Sequence, residues 1–250
     1  MIKRLVIIAM LILVLLVPQT VCAFGSRTHI EIVDRMDGRE DVDYDYQMGC
    51  VLPDLALALV YVGYPNPNLN QAIFQSPEFV DALWEVDGGS FTRGWVSHVS
   101  SDTIEVPYSQ AKVAAGAPEG ADWAVDYFYP TDWDIWIEPS HEAAVQAALD
   151  ISYPGVVISD DDWWHIMVAY NGYLSNYDLL FPDEQGIAEE WYSDNDYYLW
   201  RSVYRSHIDL LRGHAEMSDA LWFVNQWLYG HAEQTEVLEV VNLWLYPRGG

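Results

Sequence analysis

Apolar positions in this chain recur mostly at helical spacing, every three or four residues. The exception is the unbroken apolar run from Leu5 to Val17. From Ser26, which reads as an N-cap, His29, Ile32, Val33 and Met36 follow on one helical face. Residues 37–47 read as a charged turn region, and Met48 to Tyr61 is apolar around Pro53-Asp54. The segment GYPNPNLN at 63–70 reads as a loop. A helix is predicted over about 71–86, broken near Pro77, and a second over about 91–104 after the stop at Asp87-Gly88-Gly89-Ser90. Residues 105–139 carry Pro107, Pro118, Pro130 and Pro139 and read as irregular. Ser140 reads as the cap of a helix bearing Val145, Ala148 and Leu149. Asp160 to Asp162 place acids at the positive end of another, bearing Trp163, Ile166, Met167 and Tyr170. From about residue 187 to 246, aromatic and acidic residues alternate in helical rhythm, with no strand alternation or repeat anywhere. The expectation is an all-α, multi-helix fold.

The N-terminal run changes how the ends are read. Lys3 and Arg4 precede the apolar stretch, Pro18 ends it, and Val21-Cys22-Ala23 offers small residues for cleavage. This is the pattern of a secretory signal peptide over residues 1–23, leaving a single domain over 24–250. Cleavage would expose the α-amine of Phe24 and remove Cys22, leaving Cys50 with no disulfide partner. No second apolar run is long enough to span a bilayer, so a secreted protein with no transmembrane segment after cleavage is expected.

Composition narrows the partners. With 51% hydrophobic residues in 250, the chain can build a core and is not intrinsically disordered. Its 38 acids against 11 bases give a formal charge of -27, which disfavours nucleic acid and anionic membranes. Only Lys112 remains of the lysines once the leader is gone, as suits a salty or cation-rich environment, although solubility alone accounts for the excess equally well.

The segment Gly94-Trp95-Val96-Ser97-His98-Val99-Ser100-Ser101-Asp102 carries the most chemistry. On a helix, His98 and Asp102 share one face a turn apart, where an imidazole and a carboxylate can reach one metal ion. Most such pairs are surface hydrogen bonds, so the company of other donors matters. Thr28-His29 lies five residues beyond the expected cleavage point, and Pro53-Asp54 follows the apolar approach Gly49-Cys50-Val51-Leu52. Phe24, His29, Asp54, His98 and Asp102 together make a mixed nitrogen and oxygen set, which suits zinc better than calcium.

Taken in order, these pieces resemble the zinc-dependent phospholipase C family, whose fold is shared with the P1-type zinc nucleases. The match runs from Phe24, Gly25 and Thr28-His29 through Gly49 to Asp54, then Gly94 to His98 with Asp102, and on to a helix around His141 to Asp150. It covers about half of the residues after the leader. The resemblance implies an all-α fold with the Phe24 amine and carbonyl, His29 and Asp102 on one zinc. Asp54, His98 and Asp102 would hold a neighbour, with Asp102 bridging. It implies hydrolysis of a phospholipid or other phosphodiester by an activated water, with Asp54 orienting or deprotonating that water.

The departures imply fewer ions than the family's cluster, one or two Zn2+ rather than three. Val106 stands where the resemblance calls for a histidine, and one expected between Asp54 and His98 is missing. In the helix that should supply a His and a Glu, Glu142 and Gln146 take those places. His141, one residue out of register, and Glu142 are the weaker candidate ligands. A second reading is therefore a catalytically impaired, metal-stabilised binding or structural domain on the same fold. A nuclease is disfavoured by charge. His165, His207, His214 and His231 read as packing, capping or solvated residues, and the Asp41, Asp43, Asp45 run as a solvated turn.

Overall fold

The computed structural model describes residues 25–37, 43–118, 121–129, 135–180 and 183–248. The leader at 1–23 and Phe24 lie outside the described residues. The chain is all-α, with no strand among the described residues. In chain order the helices are α1 (Ser26–Asp37), α2 (Tyr44–Val51), α3 (Leu55–Tyr61), α4 (Gln71–Phe74), α5 (Pro77–Val86) and α6 (Ser90–Ala115). They continue as α7 (Pro139–Ser152), α8 (Asp160–Leu180), α9 (Glu184–Trp191), α10 (Asn195–Leu210), α11 (Met217–Leu228) and α12 (Gln234–Leu245). Two 3-10 segments, Leu52–Asp54 and Ala121–Phe128, lie between them. No helix among the described residues is long and apolar enough to cross a membrane.

Helix α6 is the axis, with α2 and α10 packed along it. The crossing with α2 is unusually close. A Cβ on Gly94 would stand 2.0 Å from the Tyr46 carbonyl oxygen, and one on Gly49 would stand 1.9 Å from that of Phe91. Only glycine fits where two backbones touch. Next to Gly94, the fully buried Trp95 donates its indole N–H to the Phe74 carbonyl (2.7 Å). It packs against the rings of Phe74, Phe79 and Phe91. A second apolar cluster forms where α10 meets the α11–α12 pair, around Tyr204, Phe223 and Val240.

Four sequence expectations change, the simplest being that Ser140 lies inside α7, whose N-cap is Glu138. Helix α6 does not end near 104 but runs through Pro107 to Ala115. Pro107 is on the exposed side, while Glu105, Tyr108 and Ser109 are buried, so packing beyond the proline holds the helix despite the lost hydrogen bond. Residues 105–139 are thus not wholly irregular, since they also contain the Ala121–Phe128 segment. Ser26 is the first residue of α1 rather than its cap. The cap comes from Asp126, whose carboxylate accepts from the backbone N–H of Arg27 (3.0 Å) and Thr28 (2.9 Å). It also accepts from the hydroxyls of Thr28 and Tyr173. An acid at a helix N-terminus satisfies the unpaired N–H groups there. Finally, α2 starts at Tyr44, capped by Asp43, inside the stretch expected to be a turn.

Asp122, on the same 3-10 segment, is 3% exposed, and burial pushes its carboxyl up to about 7 despite a hydrogen bond from Ser109. A folded-state value above the unfolded one contributes stability that is present below about pH 4 and lost as pH rises through 7. Asp122→Asn mimics the neutral acid. It is expected to stabilise the fold at pH 8 by no more than about 4 kcal/mol, raising the melting temperature there, and to change it little at pH 4. Thermal melts at the two pH values check this; equal shifts at both would contradict it.

Candidate metal centre

Four elements bring their polar side chains to one point beside the α2–α6 crossing. Helix α6 contributes His98, Asp102 and Glu105, at spacings of four and three residues along one face. Helix α1 contributes His29, fixed by the Asp126 cap at its start. The Leu52–Asp54 segment contributes Asp54. Gln71 and Gln75 approach from α4 and its C-cap.

The two oxygens of Asp102 face different histidines. Oδ1 lies 3.7 Å from His29 Nε2, and Oδ2 lies 3.5 Å from His98 Nε2. Beyond His29, the Glu105 carboxylate is 3.7 Å from the same Nε2, and beyond His98, Asp54 Oδ1 is 3.4 Å from its Nε2. The centre thus has two compartments that share Asp102: His29, Asp102 and Glu105 on one side, His98, Asp102 and Asp54 on the other. Donor atoms bound at about 2.0–2.2 Å around a tetrahedral ion are separated by roughly 3.3–3.6 Å, and the imidazole–carboxylate spacings come close to that. His29, His98 and Asp102 each offer an atom within 4.8 Å of the others. The buried Asp102 Oδ1 has no hydrogen-bond donor. On that evidence the residues fit a divalent ion.

The ring tautomers point the same way. His98 Nδ1 lies 2.7 Å from the Cys50 carbonyl, which can only accept, so Nδ1 carries the proton and Nε2 faces the acids. Ser101 donates its hydroxyl to the His98 carbonyl (2.8 Å), so toward His29 Nδ1 (3.1 Å) it accepts. His29 Nε2 is thereby aimed at Asp102 and Glu105. Orienting a ligating imidazole through its other nitrogen is the usual role of such partners. The two rings stack 3.8 Å apart, where two imidazolium cations would repel. Burial opposes a charge on His98, but Asp54 and Asp102 outweigh it and hold the imidazole well above its ordinary value. Burial also raises the Asp102 carboxyl, with His98 only partly offsetting it. A cation in this site would relieve both.

On the outer side, Asp54 and the start of α1 border a cavity of about 730 Å³. Its walls include Leu57, Tyr61, Trp123, Tyr170 and Tyr173. Asp54 is the only carboxylate among the described residues lining it. Trp123 joins Tyr61 and Tyr173 in an aromatic wall, with ring centroids 4.5 and 5.2 Å away.

No protein-family model, curated protein or solved structure matches this chain. Its functional reading therefore stands on these residues.

Of the residues singled out from the sequence, His29, Asp54, His98 and Asp102 converge; Phe24 lies outside the described residues. His141 and Glu142 are not brought to the cluster. His141 Nε2 lies 3.0 Å from Asp45 Oδ1, its Nδ1 accepts the Glu138 N–H (3.2 Å), and its ring stacks on Phe91. Both nitrogens are spent on capping α7 and joining it to Asp45 at the start of α2, because the one-residue register shift rotates the ring by about 100°. Glu142 faces Asp160, and burial followed by that like charge raises its carboxyl. Gln146 ties the loop after α7 through Val156 and Ile158. Glu105, Gln71 and Gln75 were not singled out. For Glu105 a signal existed, since it continues the His98–Asp102 stripe one turn on. For the glutamines there was none.

Proposed function

We propose that this chain is a secreted, metal-dependent phosphodiesterase that resembles the zinc-dependent phospholipases C and hydrolyses a phospholipid-type phosphodiester. The observation that carries the reading is the division of Asp102, one oxygen toward His29 and the other toward His98, next to Asp54, which lines an apolar cavity. His29, Asp102 and Glu105, with His98 and Asp54 adjoining, would hold Zn2+, one or two ions. A divalent ion supplies positive charge for the phosphoryl oxygens and lowers the pKa of water.

The chain's own residues do the rest. Leu57, Tyr61 and Trp123 offer apolar and aromatic surface to the substrate's hydrophobic portion and exclude water from it. Asp54, on the cavity wall, accepts the proton of the attacking water as its oxygen bonds to phosphorus. The bond from phosphorus to the leaving alcohol oxygen breaks, and that oxygen takes a proton from solvent water, to which Asp54 returns its own, giving an alcohol and a phosphomonoester. His98, anchored by the Cys50 carbonyl, keeps Asp54 and Asp102 in place. The absence of basic residues among the described residues lining the cavity and the charge of -27 support an uncharged or zwitterionic substrate portion over a polyanion. The leader pattern supports secretion.

One observation favours the second reading, a metal-stabilised domain without catalysis: Gln75 Nε2 is 2.8 Å from Asp102 Oδ2, inside the compartment of His98. Purified protein incubated with short-chain phosphatidylcholine separates the two. Release of phosphocholine that stops on chelation and returns with Zn2+ is expected. Chelation that lowers the melting temperature of a protein with no hydrolysis at any Zn2+ level would establish the structural role instead.

A further inference from the structure

Gln75 occupies a place that chemistry would give to an ion. Its amide nitrogen is 2.8 Å from Asp102 Oδ2, 3.3 Å from Asp54 Oδ1 and 3.5 Å from His98 Nε2. These are the same three atoms that define the second compartment. An amide NH2 has two hydrogens, and here both find carboxylate oxygens. Gln71 places a second amide on Asp54 Oδ1. An ion bound at about 2.0–2.2 Å from these donors would overlap the Gln75 nitrogen, so amide and ion exclude each other. On the other side Asp102 Oδ1, facing His29, is buried without a hydrogen-bond donor among the described residues.

We propose that Gln75 is a built-in substitute for a cation, so that the protein takes one divalent ion, between His29, Asp102 and Glu105, while the Gln75 amide holds the compartment of His98 and Asp54. This rests on the metal-binding reading above and specifies it. It also gives Glu105 a role as a carboxylate ligand where the resemblance calls for an imidazole at the neighbouring position 106. The set of one imidazole and two carboxylates is harder than an all-histidine site, and so more tolerant of Mn2+ beside Zn2+.

The test is stoichiometry and affinity for Zn2+ alone, by calorimetric titration and elemental analysis of the dialysed protein. Wild type is expected to hold one ion. Gln75→Ala and Gln75→Met, the latter keeping side-chain length without the amide, are expected to bind a second, about tenfold or more tighter than any second event in wild type. Circular dichroism confirms that both are folded, and the Met variant keeps the test alive if the Ala variant is not. Two ions in wild type, or one ion at unchanged affinity in both variants, would overturn the proposal. A loss of the first ion in the variants would overturn it too, since Gln75 would then be a ligand through its carbonyl. No ion in any of the three would instead remove the metal-binding reading itself.

Discussion

Asp102→Asn is expected to leave a folded protein that no longer retains Zn2+ and hydrolyses phosphodiesters at least about a thousandfold more slowly. The change keeps the size of the side chain but removes its charge and replaces one acceptor oxygen with a donor. Among the described residues no other carboxylate faces both rings: Oδ1 faces His29 Nε2 at 3.7 Å and Oδ2 faces His98 Nε2 at 3.5 Å. Whichever way an asparagine turned, one imidazole would meet an N–H group. The zinc affinity should fall by a factor on the order of 100 or more, comparable to or beyond the loss of a supporting partner. Folding should tolerate it, because burial already holds the Asp102 carboxyl above its usual range and a neutral amide removes that desolvation. Competition against a chromophoric chelator and a thermal melt check the two halves of the prediction. Unchanged zinc affinity would mean that Asp102 is not a ligand.

Gly94→Ala should have the largest effect on the fold. Its Cβ would stand 2.0 Å from the Tyr46 carbonyl oxygen and 2.8 Å from the Cys50 backbone nitrogen, both on α2. Neither neighbour is a flexible side-chain end, so the helices must separate. Overpacking at a rigid contact is expected to destabilise by about 3 kcal/mol or more, at the high end for an inserted methyl. In a chain of this size that lowers the melting temperature by roughly 6–12 °C. Separation also pulls the Cys50 carbonyl from His98 Nδ1, now 2.7 Å away, so zinc affinity should fall with stability. Gly186→Ala is the control. No atom of the described residues lies within 4 Å of a Cβ there, and alanine in that helix should stabilise slightly, by about 0.5–1 kcal/mol. Equal melting temperatures for Gly94→Ala and wild type would refute the close crossing.

The sequence made legible what is local. Helical spacing, the helix begun at Ser26, the break at Pro77 and the acidic start at Asp160 are all properties of neighbours in the chain. So is the His98–Asp102 pair, which needs only a helix to share a face. The glycines at 49 and 94 drew notice as pieces of a pattern, but their reason is a contact between helices some forty residues apart. What was hidden is likewise tertiary. The Asp126 cap reaches α1 from 98 residues away, and the burial of Tyr108 and Ser109 carries α6 past Pro107. Gln75 reaches the centre only through the path of the chain between α4 and α5. His141 was close in sequence terms to a ligand position, yet one residue of register turned it to Asp45.

Crystals equilibrated with Zn2+ and measured on both sides of the zinc absorption edge test the central claim most directly. The account predicts an anomalous peak bonded to His29 Nε2 and the Asp102 carboxylate, with Glu105 alongside, at about 2.0–2.2 Å. A peak elsewhere on the acidic surface, with these side chains still as close as they are here and bound to nothing but one another, would contradict it.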